Sequence, residues 1–165
     1  MFKKLFGKED KNTGETWVSP LSGKVISIEK VPDPMFAEKM LGDGIAIDPL
    51  DGNVVSPVEG EIIQVFPTKH AVGIKSKGGV EILIHVGLET VELKGEHFER
   101  HVQAGDHVQA GDLLITFDYQ EVKKKVKSVI SPVIITDSTH VRNLKTEKEI
   151  QAVSGKTEVV SYDVD

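Results

Sequence analysis

From Thr16 onward the chain consists of short runs rich in valine and isoleucine, cut by turn residues every 8 to 12 positions. Runs of that length cannot form stable helices, but they suit the strands of a β-sandwich or barrel. Valine and isoleucine number 36, against 10 leucines and 9 aromatic residues. β-Branched side chains favour a pleated, half-buried surface, so composition and punctuation agree. Two of the runs read as copies. Val18-Ser19-Pro20-Leu21-Ser22-Gly23-Lys24-Val25-Ile26 matches Val55-Ser56-Pro57-Val58-Glu59-Gly60-Glu61-Ile62-Ile63 at an offset of 37. A smaller echo pairs Val102-Gln103-Ala104-Gly105-Asp106 with Val108-Gln109-Ala110-Gly111-Asp112. Copies this few cannot stack as a solenoid, so they predict duplicated hairpins within one sheet system. Helical periodicity is confined to Phe36–Leu41, Tyr119–Ser128 and Thr146–Val153. The expected fold is all-β: an antiparallel β-sandwich or barrel built from duplicated hairpin motifs, with a few short helices.

At 165 residues the chain has room for one domain with a proper core. The lysine-rich residues 1–15 are expected to form a flexible arm and residues 16–165 the folded domain. Within the arm Phe2, Leu5 and Phe6 follow helical spacing among lysines, enough for peripheral membrane contact at most. The 26 acidic and 20 basic side chains leave a net charge of −6, which argues against a nucleic-acid partner. The absence of cysteine excludes disulfides, thiolate metal sites and cysteine nucleophiles. No apolar run approaches the roughly 20 residues of a membrane span, and no signal-peptide core opens the chain. A cytoplasmic location is the expectation.

Six histidines are present, and two of them flank a hairpin. His97, His101, His107 and His140 sit among polar residues and are expected at the surface. A two-residue loop at Lys77-Gly78 would pair Ile74 with Glu81, Val72 with Leu83 and His70 with His85. Residues directly opposite in an antiparallel pair share a face, about 5 Å apart. His70, Val72, Leu83 and His85 would then form an apolar face ending in two imidazoles, with Ile82 and Ile84 on the other side. Such a pair can be half of a zinc site, a nucleophile with a hydrogen-bonding helper, or two ordinary half-buried histidines.

Four segments in order carry a resemblance that bears on this choice. They are Pro20-Leu21-Ser22-Gly23, then Val31-Pro32-Asp33-Pro34-Met35-Phe36-Ala37-Glu38-Lys39-Met40-Leu41-Gly42-Asp43-Gly44, then Thr68-Lys69-His70-Ala71, and Val80-Glu81-Ile82-Leu83-Ile84-His85-Val86-Gly87-Leu88-Glu89-Thr90-Val91-Glu92-Leu93-Lys94-Gly95. Together they resemble the glucose-type IIA phosphocarriers of the bacterial phosphoenolpyruvate-dependent sugar phosphotransferase system. The resemblance implies an antiparallel β-sandwich and a phosphotransferase component that carries phosphate on a histidine, here His85. It implies that His70 assists the phosphoryl group and that the Thr68 hydroxyl orients the ring. It also implies two partners, the phosphocarrier HPr and a permease IIB domain, with Asp33 on an acidic rim facing HPr. Glu89 stands where the family often has aspartate, so the charge is kept on a longer side chain.

Around these residues a docking surface is expected from Asp33, Asp43 and Glu89 as the charged rim. Pro34, Met35, Phe36, Met40, Leu41 and Phe66 are the expected apolar collar, of a kind that repacks against different partners, regulatory targets included. No cofactor is required for such transfer. His70 and His85 could hold Zn²⁺ only as a half-site completed by a partner. A lipoyl- or biotinyl-type carrier would need a characteristic lysine at a hairpin tip, and Ser76 and Gly78 beside Lys77 do not reproduce that signature.

Overall fold

The computed structural model describes residues 14–165. The arm expected over residues 1–15 lies outside them except for Gly14 and Glu15, and Glu15 already opens the first strand. That strand, β1 (Glu15–Val18), lies against β14 (Glu158–Val164), which also pairs with β12 (Val141–Thr146). A second three-stranded sheet joins β4 (Asn53–Val55), β10 (Leu113–Phe117) and β8 (Phe98–Arg100). The third sheet has eight strands. Its outer strands are β13 (Ile150–Ala152) and β9 (His107–Val108). Between them, in order, run β2 (Gly23–Ser27), β3 (Asp43–Pro49), β11 (Ser131–Asp137), β7 (Glu81–His85), β6 (Ala71–Ser76) and β5 (Gly60–Val65). Every pairing is antiparallel, and the large sheet stays open instead of closing into a barrel.

Alternation along the central strands explains how this sheet buries both faces. Ile45 and Ile47 of β3, Ile82 and Ile84 of β7, and Val133 and Ile135 of β11 point into the main core. There they meet Trp17, Leu114, Ile115 and Tyr162 from the two smaller sheets. The intervening Ala46 and Ile134 face the opposite way, into a smaller cluster with Ile28, Val31, Phe36 and Leu88, against which Leu83 packs. That second cluster is covered by a 3₁₀ turn (Ile28–Lys30) and the short helix α1 (Pro34–Ala37). Asp33 caps α1, its carboxylate accepting the Met35 N–H at 3.0 Å, and Pro34 takes the first position, where its missing N–H costs nothing.

The internal copies are structural. Val18 N–H donates to the Pro57 carbonyl at 3.0 Å, and Val55 N–H donates to the Pro20 carbonyl at 2.9 Å. The two copies thus bond reciprocally, as a local two-fold requires. In each, a serine hydroxyl closes the turn at 2.6 Å: Ser19 onto the Leu21 carbonyl, Ser56 onto the Val58 carbonyl. The Gly-Asp echo repeats too, Asp106 accepting from Gln103 N–H and Asp112 from Gln109 N–H.

Two expectations need correction. Thr146–Val153 is not helical: β12 ends at Thr146, Glu149 takes a positive φ of 59°, and Ile150–Ala152 pairs with β2. An open strand edge, with Lys24 and Lys30 both reaching Glu149, outweighs a weak helical pattern. The hairpin register is also shifted by one, with Val72 opposite Ile84, Gly73 opposite Leu83 and Ala71 opposite His85. The loop has three residues, Lys77–Gly79, with the left-handed conformation at Gly79 (φ 93°). Glu15 fixes it from β1, accepting from the Ser76 hydroxyl and the Gly78 N–H, both at 2.7 Å. Val72 consequently joins Ile82 and Ile84 in the main core, while Leu83 and His85 turn to the other face.

Candidate functional site

The one-residue shift should have parted the two imidazoles. They meet all the same, because His70 is not part of β6. It closes the turn Pro67–His70, in which Lys69 is left-handed (φ 62°) and bonds back to Phe66. His85 ends β7 on the second-cluster face. The ring centroids of His70 and His85 are 4.9 Å apart with planes at 80°. Phe66 stands edge-on to His70 at 5.7 Å, and Phe36 lies 5.2 Å from the His85 ring.

Hydrogen bonding gives the two rings different chemistry. A carbonyl only accepts, so the 2.8 Å contact from His85 Nδ1 to the Gly87 oxygen puts the hydrogen on Nδ1. Nε2 of His85 is left with a free lone pair. The Thr68 hydroxyl lies 2.5 Å from Nδ1 of His70. With the hydroxyl donating there, His70 carries its hydrogen on Nε2. In that tautomer the pair sets an unprotonated nitrogen on His85 beside an N–H on His70.

Burial keeps both rings uncharged near neutrality. His70 is only 4% exposed, and burial, followed by repulsion from His85, pushes its pKa down to about 4. Burial also lowers His85, offset by the Gly87 carbonyl and then by the Asp33 charge, both of which favour the protonated ring. A stability effect follows from His70. Unfolded, it protonates near its ordinary value of 6.5; folded, near 4. Between those values the unfolded state binds more protons, so the contribution of His70 is complete above about pH 6.5 and is lost as pH falls toward 4. At about 1.4 kcal/mol per pH unit the gap amounts to roughly 3 kcal/mol. Urea unfolding at pH 7 and pH 4 should find that the wild-type chain loses roughly that much more than His70→Gln. Parallel losses in the two proteins would contradict it.

The other expected site residues divide into a near set and a rim. Thr68 and Phe66 are half-buried beside His70, and Asp33 is half-buried close enough to influence His85. Phe36, expected in the partner-facing collar, is 4% exposed and forms the floor under His85 instead. An aromatic side chain between Ala46 and Ile134 buries more surface than a rim position allows. Met35, Met40 and Leu41 are exposed at 44, 64 and 40%, and Pro34 is exposed as well. Asp43 starts β3, accepts from Gly44 N–H and faces Lys39 at 3.7 Å. Glu89 is exposed and left-handed (φ 61°), with no side-chain cap bond. Among the described residues no group of three or more His, Asp or Glu side chains converges as a metal site, and no helix is long and apolar enough to cross a membrane.

Residue reading alone missed the supports of His85. Gly87 takes φ 69°, and a Cβ there would stand 2.7 Å from Thr90 Cγ2, so glycine is required. Thr90 and Ser131 are fully buried polar residues around the same turn. Nothing in their sequence neighbourhoods signals this role.

Comparison with known proteins shows the family. Residues 15–141 match the family described as "phosphoenolpyruvate-dependent sugar phosphotransferase system, EIIA 1". The chain is 57% identical over 160 residues to a glucose-specific EIIA component of Bacillus cereus, covering 97% of each. It is 52% identical over 171 residues to the protein of that name from Halalkalibacterium halodurans, covering 99% of each. Its fold superposes on glucose permease IIA from Mycoplasma capricolum with a TM-score of 0.85 at 41% identity, covering 93% of this chain and 99% of that one. This histidine-bearing β-sandwich belongs to the EIIA 1 family of the phosphoenolpyruvate-dependent sugar phosphotransferase system.

Proposed function

We propose that the chain accepts a phosphoryl group from phospho-HPr on Nε2 of His85 and passes it to a cysteine of a permease IIB domain during sugar uptake. The free Nε2 beside a donor-bearing His70 is the observation that carries this reading. The P–N bond to the donor imidazole breaks as the P–N bond to His85 Nε2 forms, and the hydrogen stays on His85 Nδ1, donated to the Gly87 carbonyl. Positive charge then develops on the His85 ring, where the Gly87 carbonyl and Asp33 offset it. His70 donates through Nε2–H to the phosphoryl oxygens. In the second transfer the cysteine, its proton already lost to solvent, attacks as a thiolate; the P–S bond forms as the P–Nε2 bond breaks, and the electron pair returns to Nε2. Positioning and charge stabilisation suffice for both steps. The apolar surround of Phe36, Phe66, Met35, Met40 and Leu41 restricts water and slows hydrolysis. The sugar is chosen by the receiving permease; the relatives' names point to glucose. No cofactor enters, and a zinc ion would find two imidazole ligands that need a partner's carboxylate to complete the site. Mass spectrometry after incubation with phosphoenolpyruvate, enzyme I and HPr tests the reading: one phosphoryl group, located on His85, is expected, and its absence would refute the proposal.

A second role rests on the exposed methionines. Met35 lies in the helix whose Phe36 supports His85 and Met40 shortly after it, so a partner gripping that collar would sense the charge on the histidine. The acidic residues Asp33, Asp43 and Glu89 steer encounter with a basic face of HPr. Asp33→Asn keeps a good helix cap and removes only the charge. We expect it to lower the association rate a few-fold at low salt and to reduce the salt dependence. Stopped-flow transfer from phospho-HPr at two ionic strengths checks this; unchanged rates at both would remove Asp33 from the docking surface.

A further inference from the structure

The Val86–Gly87 peptide is gripped at both ends by buried hydroxyls. Its carbonyl accepts from Thr90 Oγ1 at 2.6 Å, and its N–H donates to Ser131 Oγ at 3.0 Å. Ser131 uses its own hydrogen on the Val129 carbonyl at 2.8 Å, which turns its lone pairs toward Gly87. The next peptide is the one whose carbonyl receives His85 Nδ1–H, and its N–H, on Leu88, donates to the Ser128 carbonyl at 2.9 Å. Ser131 begins β11, beside the strand that ends in His85. Both Ser131 and Thr90 are 0% exposed. Neither hydroxyl hydrogen-bonds the imidazole.

We infer that Ser131 and Thr90 are positioning residues that set the tautomer of His85: by clamping the Val86–Gly87 peptide they aim the Gly87 carbonyl at Nδ1 and keep Nε2 unprotonated for transfer. The inference rests on His85 as the phosphoryl acceptor. Which ring nitrogen of a histidine carries the hydrogen is decided by the bond its other nitrogen makes, and that bond is only as well directed as the peptide that supplies it. Losing one hydroxyl leaves a buried N–H or carbonyl without a partner, and the peptide turns to recover one. The Gly87 carbonyl then swings away from the ring. Part of the population takes the Nε2–H tautomer, which has no lone pair where phosphorus must bind.

The test reads tautomer and kinetics separately on the ¹⁵N-labelled chain. Imidazole NMR at neutral pH should find His85 protonated on Nδ1 in the wild type and in the hydroxyl-keeping variants Ser131→Thr and Thr90→Ser. Ser131→Ala and Thr90→Val should show a mixture with the Nε2–H form. Their kcat with phospho-HPr should fall on the order of tenfold while KM stays within about twofold, since the docking surface is untouched. Should Ser131→Ala not fold, Thr90→Val, which keeps the side-chain shape, carries the test. An unchanged tautomer in the folded hydroxyl-less variants, or an equal loss in the hydroxyl-keeping ones, would overturn the inference. A wild-type chain that took no phosphoryl group on His85 would instead refute the carrier reading, whatever the tautomer.

Discussion

Replacing His85 by alanine is expected to abolish phosphoryl acceptance altogether. Acceptance needs an unprotonated imidazole nitrogen that a donor can approach in line, and the site offers one. His70 cannot substitute: it is 4% exposed, its Nδ1 is taken by Thr68, and its Nε2 carries a hydrogen when that hydroxyl donates. The remaining histidines are engaged elsewhere or exposed away from the pair. His97 faces Lys125, His101 faces Thr116, His107 faces Glu59, and His140 lies at the surface. The chain has no cysteine to serve instead. The fold should survive, because His85 is a half-buried strand end and the second cluster keeps Phe36, Leu88 and Ile134. Radiolabel transfer from phospho-HPr, with circular dichroism as the folding control, measures it. Stoichiometric label on a folded His85→Ala chain would mean that the acceptor is another residue.

Much of this site was legible in the residues, and the reasons are specific. The strand reading rested on β-branched content and turn spacing, both set by local sterics, so the sheet could be expected before its order was known. The duplicated Val-Ser-Pro segments were visible because a structural repeat had left its residues nearly unchanged. Their reciprocal bonding, Val18 to Pro57 and Val55 to Pro20, was not, since it depends on a non-local two-fold. The hairpin went astray by one residue because the loop takes three residues, with Gly79, not Gly78, in the left-handed position. Glu15, sixty-one positions before Ser76, helps hold that loop, and no local pattern conveys such a contact. The histidines were paired correctly on an incorrect register. What joins them is the left-handed Lys69, a conformation that lysine itself does not signal. A run of Pro, Met and Phe has no period long enough to distinguish floor from collar, so the sequence puts Phe36 with the collar residues while burial makes it the floor.

The division of the large sheet into two faces is what makes the site possible. Alternation commits Ile82 and Ile84 to the main core, so the intervening Leu83 and the terminal His85 must emerge on the other side, where only a small cluster covers the strand. The His85 imidazole thereby ends a central strand of the large sheet with no hydrogen-bond partner on its Nε2 among the described residues. Rigid placement of this kind supplies the orientation that phosphoryl transfer requires.

His70→Ala should leave His85 able to react but slow both transfers. In the transition state of the proposed transfer negative charge is spread over the phosphoryl oxygens, and a group on His85 would lie beside the His70 ring, whose centroid is 4.9 Å from that of His85, within reach of an Nε2–H donor. Losing one preorganised donor of this type costs on the order of 10²–10³ in rate. Because His70 is buried and neutral, alanine also leaves a void beside Phe66, so a slower rate alone would not separate lost chemistry from lost packing. His70→Gln makes the separation: its amide can still donate, and it should recover part of the rate. Thr68→Val completes the set, since it removes the hydroxyl that holds the His70 ring and fixes its tautomer while leaving the ring present. The expected order of rates is wild type, then His70→Gln and Thr68→Val, then His70→Ala, for acceptance from phospho-HPr and for onward transfer to IIB alike. Rapid-quench measurement of both steps reads the order directly. A His70→Ala chain that accepted and donated at the wild-type rate would show that the phosphoryl oxygens are stabilised elsewhere, and the role given to His70 would have to be withdrawn.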